Sequence, residues 1–244
     1  MAETVVFEPG GYRYLRHAFQ YSGGVVAEPG FVVERARFRR PVPLAEGFRA
    51  VEAHLTAMGR PFTSFCACEL RSPAPFTDEG FIAFNRIYVG TLERWGVFKD
   101  EENPVARSNV CPEIDPPAEP SFHAFSYTVP AAPGDSAAAA TSFVISGAGE
   151  EERKPDDTSP AATRVKARSV LASMEERLGA FGLGWGDVNA TQAYTVHEMH
   201  SFLGDEIVAR GATPGGLTWH YARPPIVGLD FEMDVRSVPV ERLL

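Results

Sequence analysis

The sequence has little of what a disulfide-stabilised or membrane-spanning protein needs. It holds 3 cysteines among 244 residues, and such a sparse, odd set favours a reducing compartment, so a cytoplasmic location is expected. No apolar run approaches the roughly 20 residues that span a bilayer. The N-terminus has no basic segment followed by an apolar stretch, so no secretory signal is predicted. We therefore expect no membrane partner.

The chain also lacks a basic balance. Its net charge is −9, with 23 lysines and arginines against 32 acids. Because a phosphate backbone requires a basic protein face, nucleic acid is not an expected partner. A metal site is not expected either, since His197 and His200 stand three positions apart and not four as in a helical zinc pair. No glycine-rich phosphate loop and no serine nucleophile elbow is present.

What the chain does have is one order of elements, β-α-β-α-β-β, that occurs twice. Its hydrophobic fraction of 44% is sufficient for a packed core. Alternating apolar residues predict the strands, and apolar residues at steps of three and four predict the helices. The elements of the first half are 31–38, 44–58, 64–70, 77–95, 107–114 and 122–129. Those of the second half are 141–147, 171–181, 189–196, 199–210, 217–222 and 229–235.

The division between the halves is expected at a joint rich in alanine and proline, residues 130–141. It gives two modules, residues 1–129 and 130–244. A sheet with both helices on one face leaves its other face to be buried by something else. We therefore expect either that the two halves pair through their open faces or that the chain forms an oligomer.

Several stretches of the sequence resemble the RidA/YjgF family. They are the helix FNRIY at 84–88, the strand PVARSNV at 104–110, the strand SFVISG at 142–147 and the segment LGAFGLGWGDV at 178–188. The ordered set covers nearly the whole chain past residue 20, and the Ala-Arg-Ser strand is its most specific piece. The resemblance implies an α+β fold of two tandem chorismate-mutase-like modules, each a mixed sheet with two helices on one face. It also implies a homotrimer of two-module chains with sites in the clefts between modules.

The same resemblance implies a function. Members of the family hydrolyse enamines and imines derived from amino acids without a cofactor and release ammonia, and related members deaminate 2-aminomuconate-type acids. This predicts a cofactor-independent deaminase for a small unsaturated amino or imino carboxylate, with aminomuconate-type acids as one class. The alternative is a non-catalytic protein that binds small carboxylates or acts in regulation. A third reading keeps an enzyme but gives it a larger substrate, with Trp219, His220 and Tyr221 lining the pocket.

The residues of the site are also implied by the resemblance. Arg107, in the Ala-Arg-Ser strand, is expected to bind the substrate carboxylate, because the arginine fork donates two parallel hydrogen bonds to such a group. Tyr21 and Asn109 are expected to contact the substrate as well. Gly147 would let the ligand approach the backbone, since glycine has no side chain in the way. Glu232 stands where the family carries its general acid/base.

The two halves carry unequal sets of these residues. In the first half His123 takes the place of the family's glutamate, and it either exchanges protons near neutral pH or packs as an ordinary strand histidine. The first half also has the pair 34–35, Glu-Arg, where the glycine would stand, and the second half has lost the arginine. We therefore predict one functional cleft per pair of modules, with Arg107 from the first half and Gly147 from the second.

Overall fold

The secondary structure follows the predicted order. A computed structural model describes residues 3–132, 142–151, 153 and 157–244, so the joint predicted at 130–141 lies largely outside the described residues. The strands are β1 (Thr4–Phe7), β2 (Tyr12–Leu15), β3 (Gly24–Ala27), β4 (Phe31–Pro43), β5 (Phe65–Arg71), β6 (Ala106–Pro112), β7 (Ser121–Pro130), β8 (Phe143–Gly149), β9 (Ala190–Tyr194), β10 (Leu217–His220), β11 (Ala222–Arg223), β12 (Glu232–Ser237) and β13 (Val240–Leu243). The helices are α1 (Leu44–Ala57), α2 (Asp78–Arg94), α3 (Pro160–Ala180) and α4 (His200–Phe202). Within the described ranges, no helix combines the length and the apolar character that crossing a bilayer would require.

Two four-stranded units with the same connectivity reveal the tandem repeat. The first has the order β4-β7-β5-β6, and the second has the order β8-β12-β9-β10. In the first unit β7 is antiparallel to β4 and β5, and β5 is parallel to β6. In the second unit β12 is antiparallel to β8 and β9, and β9 is parallel to β10. The predicted α+β class, with two chorismate-mutase-like modules in tandem, is confirmed.

The two sheets exchange strands between the halves. The seven-stranded sheet has the order β1-β2-β3-β8-β12-β9-β10, and the six-stranded sheet has the order β11-β6-β5-β7-β4-β13. The N-terminal strand β3 is antiparallel to β8 of the second half, and the C-terminal strand β13 is parallel to β4 of the first half. The boundary between residues 129 and 130 stays a prediction, and each sheet takes strands from both sides of it.

The helices cover the outer faces of the two sheets, and the inner faces pack on each other. The core under α1 and α2 includes Phe48, Val51, Leu55, Tyr88 and Leu92. The core under α3 includes Leu171, Met174 and Leu178, which are the apolar residues from which that helix was predicted. A third cluster lies between the sheets and includes Tyr12, Val25, Val33, Ala67 and Ala106. Of the two expected ways to bury the open faces, the chain therefore uses the pairing of its own halves.

Local sequence signals set the ends of the long helices. The Thr77 hydroxyl accepts a hydrogen bond from the Gly80 N–H at 3.1 Å and caps α2, as predicted. Ser159 caps α3 in the same way. Just beyond the ends of α1 and α3, Gly59 and Gly182 have φ values of 64° and 73°, which glycine adopts without strain. These glycines return the chain toward β5 and β9.

The helix predicted over 199–210 takes a different form. Only the three residues of α4 are α-helical, and the chain continues as a π-helical segment, Leu203–Val208. Phe202 and Ile207 are both fully buried although they stand five positions apart. The wider turn of a π-helix, with its i→i+5 hydrogen bonds, places two such residues nearer to one side than an α-helix does.

Candidate active site

A cavity where the two sheets meet gathers most of the predicted site residues. Its volume is about 50 Å³, and we call it the inner cavity. Its walls are formed by Tyr21, Phe81, Arg107, Asn109, Gly147, Gly149, Pro225, Ile226, Leu229 and Glu232. Arg107 and Asn109 come from β6 of the first half, whereas Gly147 and Glu232 come from β8 and β12 of the second. One cavity therefore combines side chains that are far apart in the sequence.

Hydrogen bonds through the Ser146 hydroxyl hold β6 next to β8 and bring these residues together. The Arg107 N–H donates to Ser146 Oγ at 3.0 Å, and this hydroxyl donates to the Ser22 carbonyl at 2.5 Å. The Ser22 N–H in turn donates to the Val105 carbonyl at 2.8 Å. The segment before β3 is thus fixed against the start of β6, and it places the Tyr21 ring centroid 5.1 Å from Arg107 Cζ.

The Arg107 side chain is buried, with 2% of its surface exposed. Its Nη1 donates to Asn85 Oδ1 at 2.5 Å, and Asn85 is itself oriented by donating from Nδ2 to the Phe81 carbonyl at 2.6 Å. The Tyr88 ring centroid lies 4.8 Å from Arg107 Cζ and stabilises the cation through its π face. Among the described residues, Nη2 has no hydrogen-bond partner. A buried cation with an unused donor is arranged to bind an anion.

Asn109 offers a second unused donor to the same cavity. Its Oδ1 accepts a hydrogen bond from Ser72 Oγ at 2.9 Å, which orients the amide. Its Nδ2 is buried and, in the part of the chain that the structure describes, has no acceptor. Because buried donors are nearly always paired in proteins, two unpaired donors that border one cavity indicate a ligand with oxygen acceptors.

Glu232 is the acidic group of the inner cavity, and only 4% of its surface is exposed. Burial raises its pKa well above the ordinary range, and the nearby Asp234 raises that pKa further. The positive charges of Arg177, Arg71 and Arg107 oppose this rise without reversing it. Glu232 therefore keeps its proton to a higher pH than an exposed carboxyl group, which suits a general acid.

Gly147 lies directly against this carboxyl group. A Cβ atom at position 147 would overlap Glu232 Oε1, and it would lie 3.2 Å from Ser108 Cβ. The φ angle of Gly147 is not in the left-handed region, so its glycine is explained by space and not by backbone conformation. The sequence predicted that the missing side chain of Gly147 would admit the ligand, and this stays a prediction. The structure shows that the missing side chain makes room for the Glu232 carboxyl group.

Replacement of Gly147 by alanine is expected to displace the Glu232 carboxyl group. Displacing a general acid costs about 10²-fold in turnover, and crowding a packed site costs about 1–3 kcal/mol of folding stability. Both are measured by steady-state kinetics and urea unfolding. Gly179→Ala is the matched control, because nothing lies within 4 Å of a Cβ at that helical position. Equal activity of the two variants would contradict this role of Gly147.

The corresponding place in the first half is occupied by a buried ion pair. Arg35 donates from Nε and Nη2 to the two carboxylate oxygens of Glu69, at 2.6 and 2.9 Å. Although burial acts in the opposite direction, Arg35 and Arg236 hold the pKa of Glu69 well below its ordinary value. The pair 34–35, which the sequence aligns with the place of Gly147, thus carries an arginine with a fixed carboxylate partner.

His123 is not among the residues that line the inner cavity. His123 lies on β7, which is separated from β6 by β5 in the six-stranded sheet. Its Nε2 therefore lies near β5, 4.0 Å from Glu69 Oε2, and not beside Arg107 on β6. Burial and the positive charge of Arg71 lower its pKa to about 3. His123 is therefore neutral near pH 7, and both of its expected roles, proton exchange and ordinary packing, stay predictions.

The loop 225–229, which no sequence pattern indicated as part of the site, forms one wall of the inner cavity. Pro225 accepts a hydrogen bond from the Phe76 N–H at 2.8 Å, and the Val227 N–H donates to the Phe76 carbonyl at 2.9 Å. These bonds fix the segment that contributes Ile226 and Leu229 to the cavity wall.

The bulky residues that were expected to line a larger pocket lie elsewhere. Trp219 Nε1 donates to the Thr195 carbonyl at 2.9 Å, and the His220 ring stacks on Tyr194 at 4.8 Å. Neither of them, nor Tyr221, is among the residues of the inner cavity. The pocket expected from residues 219–221 belongs near the arginine that the second half lacks, so it stays a prediction separate from the inner cavity.

The known sequences to which the chain is similar are named as deaminases. The family model described as 2-aminomuconate deaminase CnbZ matches residues 4–242. The chain is 54% identical over 254 aligned positions to 2-amino-5-chloromuconate deaminase of Comamonas testosteroni, and the match covers 100% of both chains.

Comparisons with solved structures find more distant likenesses. A YjgF/YER057c/UK114 family member from Mycobacterium tuberculosis is 19% identical, with a TM-score of 0.28, and the match covers 39% of this chain and 77% of the other. A chorismatase is 11% identical, with a TM-score of 0.49, and the match covers 96% of this chain and 78% of the other. At these values neither structure bears on the function.

Proposed function

Because the chain belongs to the family of the 2-aminomuconate deaminase CnbZ, we propose that it hydrolyses the carbon–nitrogen bond of an aminomuconate-type acid and releases ammonia. It is an enzyme that acts on C–N bonds, as its relative with 54% identity is named for a deaminase reaction. Aminomuconate is a conjugated dienedioate that carries its amino group next to one of its two carboxylates. The substrate therefore presents an enamine beside an anion.

The pair of unused donors in the inner cavity carries the proposal. Arg107 Nη2 and Asn109 Nδ2 are both buried without partners among the described residues. A carboxylate that accepts a hydrogen bond from each would satisfy both donors and would neutralise the buried cation. This carboxylate is the one next to the amino group, since it would hold the reacting carbon within the same cavity as Glu232.

Glu232 supplies the first proton of the proposed reaction. The protonated carboxyl group transfers its proton to a carbon of the enamine, and the nitrogen lone pair forms the C=N bond as the conjugated C=C bond is lost. The products of this step are an iminium ion and the Glu232 carboxylate. The raised pKa of Glu232 favours the protonated starting form.

Water then attacks the iminium carbon. The Glu232 carboxylate removes a proton from the water as the C–O bond forms, which gives a neutral carbinolamine and restores the carboxylic acid. Proton transfer from Glu232 to the nitrogen makes ammonia the leaving group. The C–N bond breaks, the carbonyl forms, and the hydroxyl proton returns to Glu232. Water supplies the oxygen and one residue carries every proton, so the sequence of steps includes no cofactor.

The test is a direct assay of the purified chain. We expect it to release ammonia from 2-aminomuconate and from 2-amino-5-chloromuconate, with equimolar loss of the conjugated enamine absorbance. Calorimetry with the unreactive dienedioate muconate serves as the companion measurement. Binding of muconate without ammonia release from either substrate would overturn the deaminase proposal and would favour the alternative of a carboxylate-binding protein.

A further inference from the structure

A second, larger cavity adjoins the inner one. Its volume is about 410 Å³, and we call it the outer cleft. Its walls are formed by Leu15, Arg16, His17, Tyr21, Ala148, Gly149, Glu151, Ser173, Glu176 and Arg177. Tyr21 and Gly149 border both cavities. A ligand that enters the inner cavity and extends past these two residues therefore passes into the outer cleft.

The inner cavity provides a cation for only one end of an aminomuconate-type acid. Among the residues that line it, Arg107 is the one basic side chain, and the other charged group is the acid Glu232, so it offers a charged partner to one carboxylate and not to two. If one carboxylate binds Arg107, the conjugated chain must direct the other carboxylate out of the inner cavity. The shared walls lead it toward the outer cleft.

Arg177 lines the outer cleft next to the inner cavity, and its positive charge has no carboxylate partner among the described residues. Its Nη1 donates to the carbonyls of Ser146 and Gly147, at 2.9 and 3.2 Å, and thereby lies behind the strand that forms one wall of the inner cavity. Both acceptors are neutral, and among the described residues Arg177 takes part in no ion pair. Burial lowers the pKa of Arg177, although the charge of Glu232 acts against this change. A partly buried cation without a fixed anionic partner is costly to the free protein, and an anionic ligand lowers that cost.

The other charged groups of the outer cleft differ from Arg177. Arg16 already forms ion pairs with Glu3 and Glu102. Burial, followed by the charge of Arg177, lowers the pKa of His17 to about 4, so this ring is neutral near pH 7. The carboxylates of Glu151 and Glu176 belong to exposed residues at the rim. Arg177 is therefore the cation of the cleft that is left for a ligand.

We propose that Arg177 binds the second carboxylate of a conjugated aminodicarboxylate whose first carboxylate binds Arg107. The inference rests on the proposed function for the identity of the reacting end, but the second carboxylate subsite has a readout of its own. It makes the enzyme specific for diacids over monoacids of the same length. The planar chain between the two carboxylates would pass beside the Tyr21 ring, against which His17 stacks at 5.3 Å.

The experiment compares two unreactive ligands with the same carbon skeleton. Muconate carries a carboxylate at both ends, whereas sorbate carries it at one end only. We expect the unmodified chain to bind muconate more tightly than sorbate by about 10- to 100-fold, as a charge-assisted hydrogen-bonded contact provides. In Arg177→Gln this preference is expected to disappear, with the affinity for sorbate unchanged. Calorimetry measures both, so the result does not depend on turnover.

Arg177→Gln also removes the hydrogen bonds from Arg177 to the backbone of β8. A second variant therefore distinguishes loss of the subsite from a change in the position of β8. Ser173→Glu adds a negative charge to the same cleft without removing those bonds, and we expect it to weaken muconate binding more than sorbate binding. Loss of sorbate binding in Arg177→Gln, together with no effect of Ser173→Glu, would overturn the subsite. Equal muconate affinity in Arg177→Gln and the unmodified chain would overturn it as well. If ammonia release fails but the muconate preference follows Arg177, the deaminase proposal falls and the subsite stands.

Discussion

Arg107→Ala is expected to lower kcat/KM for an aminomuconate-type substrate by about 10³-fold, because it removes both the charge and the free donor that hold the reacting carboxylate. Arg107→Lys is expected to lose about 10²-fold, since an ammonium keeps the charge but lacks the planar fork. The contacts of the present side chain explain why lysine is a poor replacement. Nη1 is already committed to Asn85, and Nη2 is the donor that remains for the ligand.

The measurement is steady-state kinetics together with calorimetric binding of sorbate, which reports the inner carboxylate alone. Arg13→Ala is a suitable control, because Arg13 is paired with Glu28 and its side chain is 43% exposed. That variant is expected to keep kcat/KM within about twofold, as surface ion pairs contribute little. Retention of more than a tenth of the activity in Arg107→Ala would show that another group binds the carboxylate.

Glu232→Gln is expected to lower kcat by about 10²–10⁴-fold, because the amide has the shape of the acid but no transferable proton. The pH profile separates a proton-transfer role from a packing role. As the pH rises through the raised pKa of Glu232, the protonated enzyme is lost, and kcat/KM of the unmodified chain should decrease on the alkaline side. The residual activity of Glu232→Gln should show no such decrease. An unchanged alkaline limb in the variant would assign the proton to another group.

The same substitution is expected to make the protein more stable at neutral pH. The native state binds the Glu232 proton more tightly than the unfolded chain does, because burial raises the native pKa. The contribution of Glu232 to stability is therefore full below the ordinary carboxyl pKa and decreases as the pH rises toward the native pKa. Glutamine has no proton to lose, so the difference in the free energy of unfolding should grow from pH 4 to pH 8. Urea titrations at several pH values measure it.

The sequence predicted the features that depend on residues close together in the chain. The repeated order of elements follows from periodicity within short segments, and Thr77 caps α2, which begins at Asp78, as the capping pattern indicates. Arg107, Gly147 and Glu232 were identified through the resemblance to the RidA/YjgF family, which short strand segments carry. All three border the inner cavity, and their roles in catalysis and binding stay predictions until the variants are measured.

The features that were missed depend on contacts between distant parts of the chain. Arg177 lies beside the apolar stripe of α3 in sequence, and only the packing of that helix against β8 reveals that its guanidinium reaches the Gly147 carbonyl. The environment of His123 is set by Glu69 and Arg71, which lie on another strand. The loop over the inner cavity has no periodic pattern, and its pairing with Phe76 joins residues from opposite halves.

The exchange of strands between the two sheets makes the loss of either copy costly to the fold. A deletion that restored a single module would leave β3 without β8 or β13 without β4, and it would expose sheet edges that are now paired. The two copies can therefore diverge in their side chains, but neither can be discarded. The strand exchange thus makes the two copies one scaffold, because each sheet includes strands from both.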